Sequence, residues 1–343
     1  MGQGYRVAVV GATGAVGAEM LAILAQRHFP VRDLVPMASP ASAGKAVSWA
    51  GTAVPVRVAE TGSFRGIDLA LFSAGATTSR NLAPAARDAG ALVVDNSSAF
   101  RMDAGTPLVV PEVNPEALAT AHGIVANPNC TTIILLMALA PLHRVVRCPE
   151  VVLSSYQAVS GTGAKAIAEL EAQLRAWAAG EPGPDPKSYP KPIAFNVLPQ
   201  VGSLDPGGES EEERKVALET QKILQDPEIQ VTATCVRVPV FRAHAEAVTV
   251  FPERAVTPDE VRQILSRAAG VRVVDDPHGF APTPQEAAGG DAVLVGRIRA
   301  ARAHRPALSW FCAGDQLRKG AALNAVQIAE VMLKTPAPSA RPR

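Results

Sequence analysis

One cysteine in this chain is placed to act as a nucleophile. Cys130 stands in Ala126-Asn127-Pro128-Asn129-Cys130-Thr131-Thr132, directly before the apolar run Ile133 to Leu142. Asn129 is a good N-cap, because its side-chain oxygen can accept a backbone N–H of the first helical turn. A helix starting at Cys130 would hold the thiol where unpaired N–H groups and the helix dipole favour negative charge. Such a position lowers a thiol pKa from its ordinary ~8.5 and raises the thiolate fraction near neutrality. The competing reading is a small buried hydrophobe, the state of most free cysteines. Arg237 lies in the otherwise apolar Val236-Arg237-Val238. A charge there is costly unless paired, and a planar guanidinium suits a bidentate carboxylate. His244 follows shortly after, and an imidazole of ordinary pKa ~6.5 can move protons both ways near neutrality. Taken alone it could equally be a surface or core histidine.

The elements that would hold these residues read as follows. Tyr5 to Val10 is a short β-rich run followed by Gly11-Ala12-Thr13-Gly14-Ala15-Val16-Gly17 and an Ala/Leu/Met stretch to about Gln26 with helical spacing. Strand, glycine turn and helix form the context of a dinucleotide fingerprint, here spaced G-x-x-G-x-x-G. A purely structural glycine turn is the alternative. Strands are expected at Leu34–Ala38, Val54–Val58, Leu69–Ser73 and Leu92–Val94, with a helix over Asn81–Ala89. That alternation predicts a mostly parallel sheet covered by helices. Ser73 and Asn96 follow two of its strands, where the ligand crevice of an open α/β sheet lies. Further strands are expected at Val151–Ala158, Ile229–Pro239 and Ala245–Phe251, and helices at Ala164–Ala179, Glu209–Leu224, Pro258–Ala269 and Leu317–Leu333. Gly180 to Pro192 is crowded with Pro and Gly and is expected to be a functional or pinned loop. The tail from Thr335 is Pro-rich.

Composition narrows the function classes. At 343 residues the chain suits two domains, and its 48% hydrophobic and 19% charged content is globular. Lys+Arg 33 against Asp+Glu 32 gives no surplus for a nucleic-acid backbone. Cysteines 130, 148, 235 and 312 form no CxxC pair, so neither a metal nor a disulfide framework is expected. The start lacks the n- and h-regions of a signal peptide, and Arg6 stands where a myristoylation motif beginning at Met1-Gly2 needs Ser or Thr. The run after Cys130 is too short for a bilayer. No membrane association is expected, and a reducing, cytoplasmic location fits.

Read together, several stretches resemble the aspartate-semialdehyde dehydrogenase family in order along nearly the whole chain. They are Val9 to Gly17, Asp95-Asn96-Ser97-Ser98-Ala99-Phe100-Arg101, Asn127 to Cys130, and Tyr156-Gln157-Ala158-Val159-Ser160-Gly161. Further on come Glu212-Glu213-Arg214-Lys215, Arg237-Val238-Pro239-Val240 with His244, and Gln316-Leu317-Arg318-Lys319-Gly320-Ala321-Ala322. The resemblance implies an α/β protein with a Rossmann-type NADP-binding domain and an inserted α+β catalytic and dimerisation domain. The nucleotide domain would span 1–129, completed by a C-terminal helix over 318–335, and the inserted domain 130–317. A homodimer or homotetramer is implied, with Pro182–Pro192 a candidate contact.

The implied reaction suits a thiol. A thiolate adds to an aldehyde, the hemithioacetal expels hydride to a nicotinamide, and phosphate releases the acyl group from the thioester. In the biosynthetic direction L-aspartyl 4-phosphate acylates the thiol and NADPH reduces the thioester to L-aspartate 4-semialdehyde, on the way to lysine (through diaminopimelate), threonine and methionine. By resemblance Cys130 is the nucleophile, His244 the acid/base and Gln157 the group that orients substrate. Arg237 would hold the substrate α-carboxylate and Glu212 its α-amino group, while Arg101 and Lys215 would gather phosphate. Gly11, Thr13, Gly14, Ala15, Val16, Ser39, Ala41, Ser42, Ser73, Asn96, Ser160, Gly161 and Gln316 would face NADP. No acidic residue occurs between Leu34 and Ala59, which favours a 2′-phosphate. Relatives place Arg where Ala41 stands, so a weaker NADP preference than usual is expected, with Ser39, Ser42 and Lys45 as remaining contacts. N-acetyl-γ-glutamyl-phosphate reductase runs the same chemistry but is expected to carry Gly at the position of Asn129. A non-catalytic nucleotide-binding paralogue would have lost the nucleophile or the base.

Overall fold

The computed structural model describes residues 4–42, 44–275 and 280–334. The chain divides into two compact units, Met1–Pro128 with Ala321–Arg343, and Asn129–Gly320. The Met1-Gly2 start and the Pro-rich tail from Thr335 lie outside the described residues.

In the first unit β1 (Tyr5–Val10) runs through the core, and α1 (Ala15–Gln26) and β2 (Val31–Ala38) follow. A hairpin of β3 (Ala46–Trp49) and β4 (Thr52–Pro55) precedes the short β5 (Arg57–Val58). Then come β6 (Leu69–Phe72), α2 (Ala76–Asp88), β7 (Leu92–Asp95) and β8 (Ile124–Ala126). The main sheet is parallel in the order β5-β2-β1-β6-β7-β8. Strand order reverses on either side of β1, which puts the switch point of the sheet at the glycine turn. The last helix, Leu323–Lys334, belongs to this unit and buries Leu323, Ala325, Val326 and Ile328 against Val7, Val9, Leu69 and Leu71. Asn324 ties it down from within the core: its Nδ2 donates to Val109 O at 2.9 Å and Asn127 Oδ1 at 2.7 Å.

The second unit begins with α3 (Cys130–Val145), in which Thr131 to Ala140 are all buried, the composition of a core helix apolar on every side. There follow β9 (Glu150–Gln157), α4 (Ala164–Ala178), α5 (Glu211–Leu224), β10 (Gln230–Arg237), β11 (His244–Phe251) and α6 (Pro258–Ser266). The unit ends with β12 (Val271–Val273), α7 (Pro284–Ala287), β13 (Val293–Ala300) and β14 (Leu308–Gly314). Its sheet is mixed, in the order β10-β9-β11-β14-β13-β12. A Cβ on Gly314 would come within 3.0 Å of Ile134, so alternate residues of β14 face α3. The opposite face leaves Val152 40% exposed and Tyr156 and Phe311 half-buried, their rings 6.1 Å apart.

Several element expectations need correction. Val54–Val58 is two strands: β4 pairs with β3, while β5 joins the main sheet beside β2. Residues 318–322 form a π-helical turn before the last helix. Strands β3, β8, β12, β13 and β14 and helix α7 were not expected from sequence. In β13 a positive φ of 54° at Arg297 and a register shift between Gly296 and Arg299 break the alternation that would have marked a strand. His244 opens β11 instead of preceding it.

Candidate active site

The glycine turn is close-packed backbone. Gly11 has φ +88°, and a Cβ there would sit 2.5 Å from Ser73 O; one on Gly17 would sit 2.2 Å from Gly11 O. Only glycine permits this approach of β1, β6 and α1. The α1 N-cap, Gly14, offers no side-chain cap and the first turn has no acidic residue, so the N–H groups of Ala15 and Val16 open a helix suited to an anion. Thr13 and Gly14 are exposed. Thr13 Oγ1 lies 3.4 Å from Ser42 Oγ, and the Ser42 N–H donates to Ser39 O, so the Pro40–Ser42 turn carrying Ala41 folds beside the glycine turn. A cleft of about 530 Å³ between α1 and the β3–β4 hairpin is lined by Ala12, Thr13, Lys45, Ser48 and Trp49. At the end of β7, Asn96 O accepts from Arg101 Nη2 at 2.9 Å, and Asn96 Oδ1 accepts from Asn127 Nδ2 at 2.6 Å. These groups fit a dinucleotide: small backbone at the turn, a free helix start and no carboxylate at the end of β2.

The thiol half is built on α3 and the second sheet. Asn129 caps α3 as its residue type predicts, its Oδ1 accepting from Thr131 N at 2.9 Å and Thr132 N at 3.2 Å. Its Nδ2 donates to Glu212 Oε1 at 2.9 Å, and its N–H donates to Glu219 Oε2 at 2.6 Å. Gln157 Nε2 donates to Thr131 Oγ1 at 2.9 Å and reaches Glu212 Oε1 at 3.3 Å. Thus Cys130, Gln157 and Glu212 are joined through one cap. Glu212 is buried, not part of a solvated helix start. Among the four cysteines Cys130 alone is not buried. Desolvation pushes the Cys148 and Cys235 thiols up to about 12, and Cys312 well above the ordinary range.

His244 is fully enclosed, and its Nδ1 accepts the Ala158 N–H at 3.0 Å. Burial drives its pKa well below the ordinary value; the nearby Arg237 charge adds to this, and the Ala243 backbone works weakly the other way. The ring is therefore neutral near pH 7, and the Ala158 bond assigns its proton to Nε2, which has no protein partner. This geometry presents His244 Nε2 as a hydrogen-bond donor. Arg237 Nη1 donates to Ala158 O at 2.8 Å, while its buried Nε–H finds no acceptor. A Cβ on Gly161 would lie 3.0 Å from Arg237 Nη1 and 3.2 Å from His244 Nε2, so glycine there lets the turn pack against both groups. Gln316 Nε2 donates to Ser160 Oγ and its Oε1 accepts from Ala243 N, bracing the Ser160 turn against the start of β11.

Lys215 stands apart from this network, paired with Glu211 one turn earlier at 2.7 Å. Glu219 and Thr131 were not singled out from sequence. Glu212, Val216, Glu219, Thr220 and Ile223 form the buried stripe of α5, so two acids on an apolar helical face were the available mark. Among the described residues no cluster of His, Cys, Asp or Glu could hold a metal ion, and no helix is long and apolar enough to cross a membrane.

Comparison with known proteins agrees along the chain. Residues 6–121 match the family model described as semialdehyde dehydrogenase, NAD binding domain, and residues 139–319 match semialdehyde dehydrogenase, dimerisation domain. The chain is 48% identical to aspartate-semialdehyde dehydrogenase of Aquifex aeolicus (strain VF5), over 96% of this chain and 98% of that one. It is 44% identical to the enzyme of the same name from Bacillus subtilis (strain 168), over 97% and 99%. The crystal structure of aspartate semialdehyde dehydrogenase II from Vibrio cholerae, complexed with ASA, superposes with a TM-score of 0.94 at 42% identity, covering 98% of this chain and 100% of that chain.

Proposed function

The chain belongs to the aspartate-semialdehyde dehydrogenase family of phosphorylating, nicotinamide-dependent oxidoreductases of amino-acid biosynthesis, and from that premise we propose how its own residues carry the reaction. The substrates are L-aspartate 4-semialdehyde and phosphate, or L-aspartyl 4-phosphate in the biosynthetic direction. The observation that carries the reading is the Asn129 cap: it places the one unburied thiol at a helix start and binds Glu212 from its other end, with Gln157 reaching the same carboxylate.

Cys130 reacts as thiolate, its proton having passed to solvent. It adds to the aldehyde carbon, and the oxyanion that develops accepts a hydrogen bond from His244 Nε2–H. The bound nicotinamide supplies the two-electron exchange between hemithioacetal and thioester. Phosphate then attacks the thioester carbonyl, a second oxyanion is met by the same N–H, and the thiolate leaves. His244 is the acid/base group of these steps in this proposal. Arg237 offers its unpartnered Nε edge to the substrate α-carboxylate, and Glu212 receives the α-ammonium while Gln157 orients the chain between them. Arg101 and Lys215 are assigned to phosphate.

Gly11, Thr13, Gly14, Ala15 and Val16 would hold the pyrophosphate, with Ser73, Asn96, Ser160, Gly161 and Gln316 toward the nicotinamide. We assign NADP in preference to NAD, supported by the carboxylate-free end of β2, with Ser39, Ser42 and Lys45 as polar contacts and Ala41 lacking any. The protein acts as a homodimer or homotetramer through its dimerisation domain, supported by the open face of Val152, Tyr156 and Phe311. A cytoplasmic location fits these substrates. The test is phosphate-dependent NADP reduction with aspartate semialdehyde against N-acetylglutamate semialdehyde. Faster turnover of the acetylated substrate would overturn the assignment of Glu212 and Asn129.

A further inference from the structure

The segment between α4 and α5 contains a strap, residues 187–194, that is fastened to α4 at two points. Glu169 Oε2 accepts the N–H groups of Lys187 at 2.9 Å and Ser188 at 2.7 Å. Gln173 Oε1 accepts those of Ile193 at 3.0 Å and Ala194 at 2.9 Å. Between these anchors stands Tyr189, whose ring packs on the cluster of Val159, Ala166, Leu170 and Ile193. The Arg237 Cζ lies 5.9 Å from the centre of that ring, within reach of a cation–π contact. The Tyr189 hydroxyl donates to Thr162 Oγ1 at 3.0 Å, in the same 3-10 turn that carries Ser160 and Gly161. Burial raises the Tyr189 hydroxyl pKa, so it remains a neutral donor through the working range.

Arg237 is otherwise held by one side-chain bond, Nη1 to Ala158 O. One hydrogen bond fixes a position but leaves the guanidinium plane free to rotate. We infer that Tyr189 is a positioning residue for Arg237, its ring fixing the guanidinium plane so that the Nε edge stays presented to the substrate carboxylate. The Pro- and Gly-rich segment is then a device for delivering one aromatic ring from a rigid helix. This inference rests on the assignment of Arg237 to the substrate carboxylate made above.

The experiment is steady-state kinetics on the full-length enzyme with Tyr189→Met, which keeps apolar volume without the ring, and Tyr189→Phe, which keeps the ring without the hydroxyl. Loss of one partly buried cation–π contact is expected to raise the semialdehyde KM about tenfold in Y189M. Values for phosphate and cofactor should hold, kcat should change less, and Y189F should stay within about twofold of wild type. In an Arg237→Leu background Y189M should add nothing, because the two act as a unit. Should Y189M lose its folded circular-dichroism spectrum, Glu169→Ala, which removes the acceptor that holds the 187–188 backbone, takes its place with the same expected split. Additive effects in the double variant, or equal rises in all three KM values, would overturn the inference. If R237L itself leaves semialdehyde use intact, the assignment of Arg237 fails first. If R237L impairs use and the strap variants do not, only the role of Tyr189 fails.

Discussion

A thiol in the core of a protein is poor both as a nucleophile and as a target, because its anion would be stripped of water. Cys148, Cys235 and Cys312 are in that condition, and Cys130, at the capped start of α3, is not. Iodoacetamide at neutral pH should therefore label Cys130 first, aspartate semialdehyde should slow that labelling, and Cys130→Ala should fold, bind cofactor and show no turnover. Peptide mass spectrometry reads this directly; equal labelling of all four would remove the nucleophile assignment. The two arginines should separate. Arg237→Leu forfeits a charge-assisted pair and should lower kcat/KM for the semialdehyde about 10- to 100-fold, whereas Arg101→Leu should chiefly raise the phosphate KM. Matching losses toward both substrates would sink this division. Cys130, Asn129 and Arg237 were legible in sequence because each breaks a local rule: a capping residue before an apolar run, a charge inside an apolar strand. Glu212 resembles its neighbours Glu211 and Glu213 until helical phase turns it inward, and Tyr189 depends on packing that no local pattern encodes.

At the scale of elements, β11 carries two buried titratable groups on one face. His244 opens the strand, and Glu246 follows, paired in register with Cys312 of β14. Glu246 Oε2 is 3.7 Å from Cys312 Sγ, Oε1 has no partner, and burial raises its pKa well above the ordinary carboxyl value. Folded protein thus keeps this proton while unfolded chain loses it above pH ~4.3, so the group costs stability increasingly as pH rises toward its folded pKa. Glu246→Gln should remove that dependence, raising Tm more at pH 8 than at pH 5 by scanning calorimetry. His244 acts in the opposite sense, its contribution being present above pH ~6.5 and lost as pH falls below it. The loop after β2 makes a second prediction. Ala41→Arg adds one charge-assisted contact and should sharpen the NADP preference by about one to two powers of ten in kcat/KM, with wild type measurably active on NAD. A wild type that clearly prefers NAD would refute the reading of this turn. The glycine turn, β1, β2, β6, β7 and α3 were readable from fixed glycine spacing and unbroken apolar runs. β13 was not, since its exposed Arg297 and Arg299 and the register shift after Gly296 look like a loop.

For the whole molecule, the sheet face with Val152, Tyr156 and Phe311 is where the dimer contact proposed above would lie. Val152→Glu should shift the assembly toward monomer by light scattering, as a buried unpaired charge costs several kcal/mol, roughly 3–5. An unchanged mass would place the interface elsewhere. Asn127 Nδ2 donates to Ala321 O at 3.2 Å, so the chain leaves the first unit and re-enters it at adjacent points. During translation, β1 to β8 emerge with the apolar surface of Val7, Val9, Leu69 and Leu71 still waiting for the final helix. At ordinary synthesis rates that wait lasts on the order of ten to forty seconds while residues 129–320 are made. The unit that must receive the nucleotide is thus begun first by the ribosome and closed last, and a nascent chain stalled before Leu323 would present chaperones with an exposed sheet.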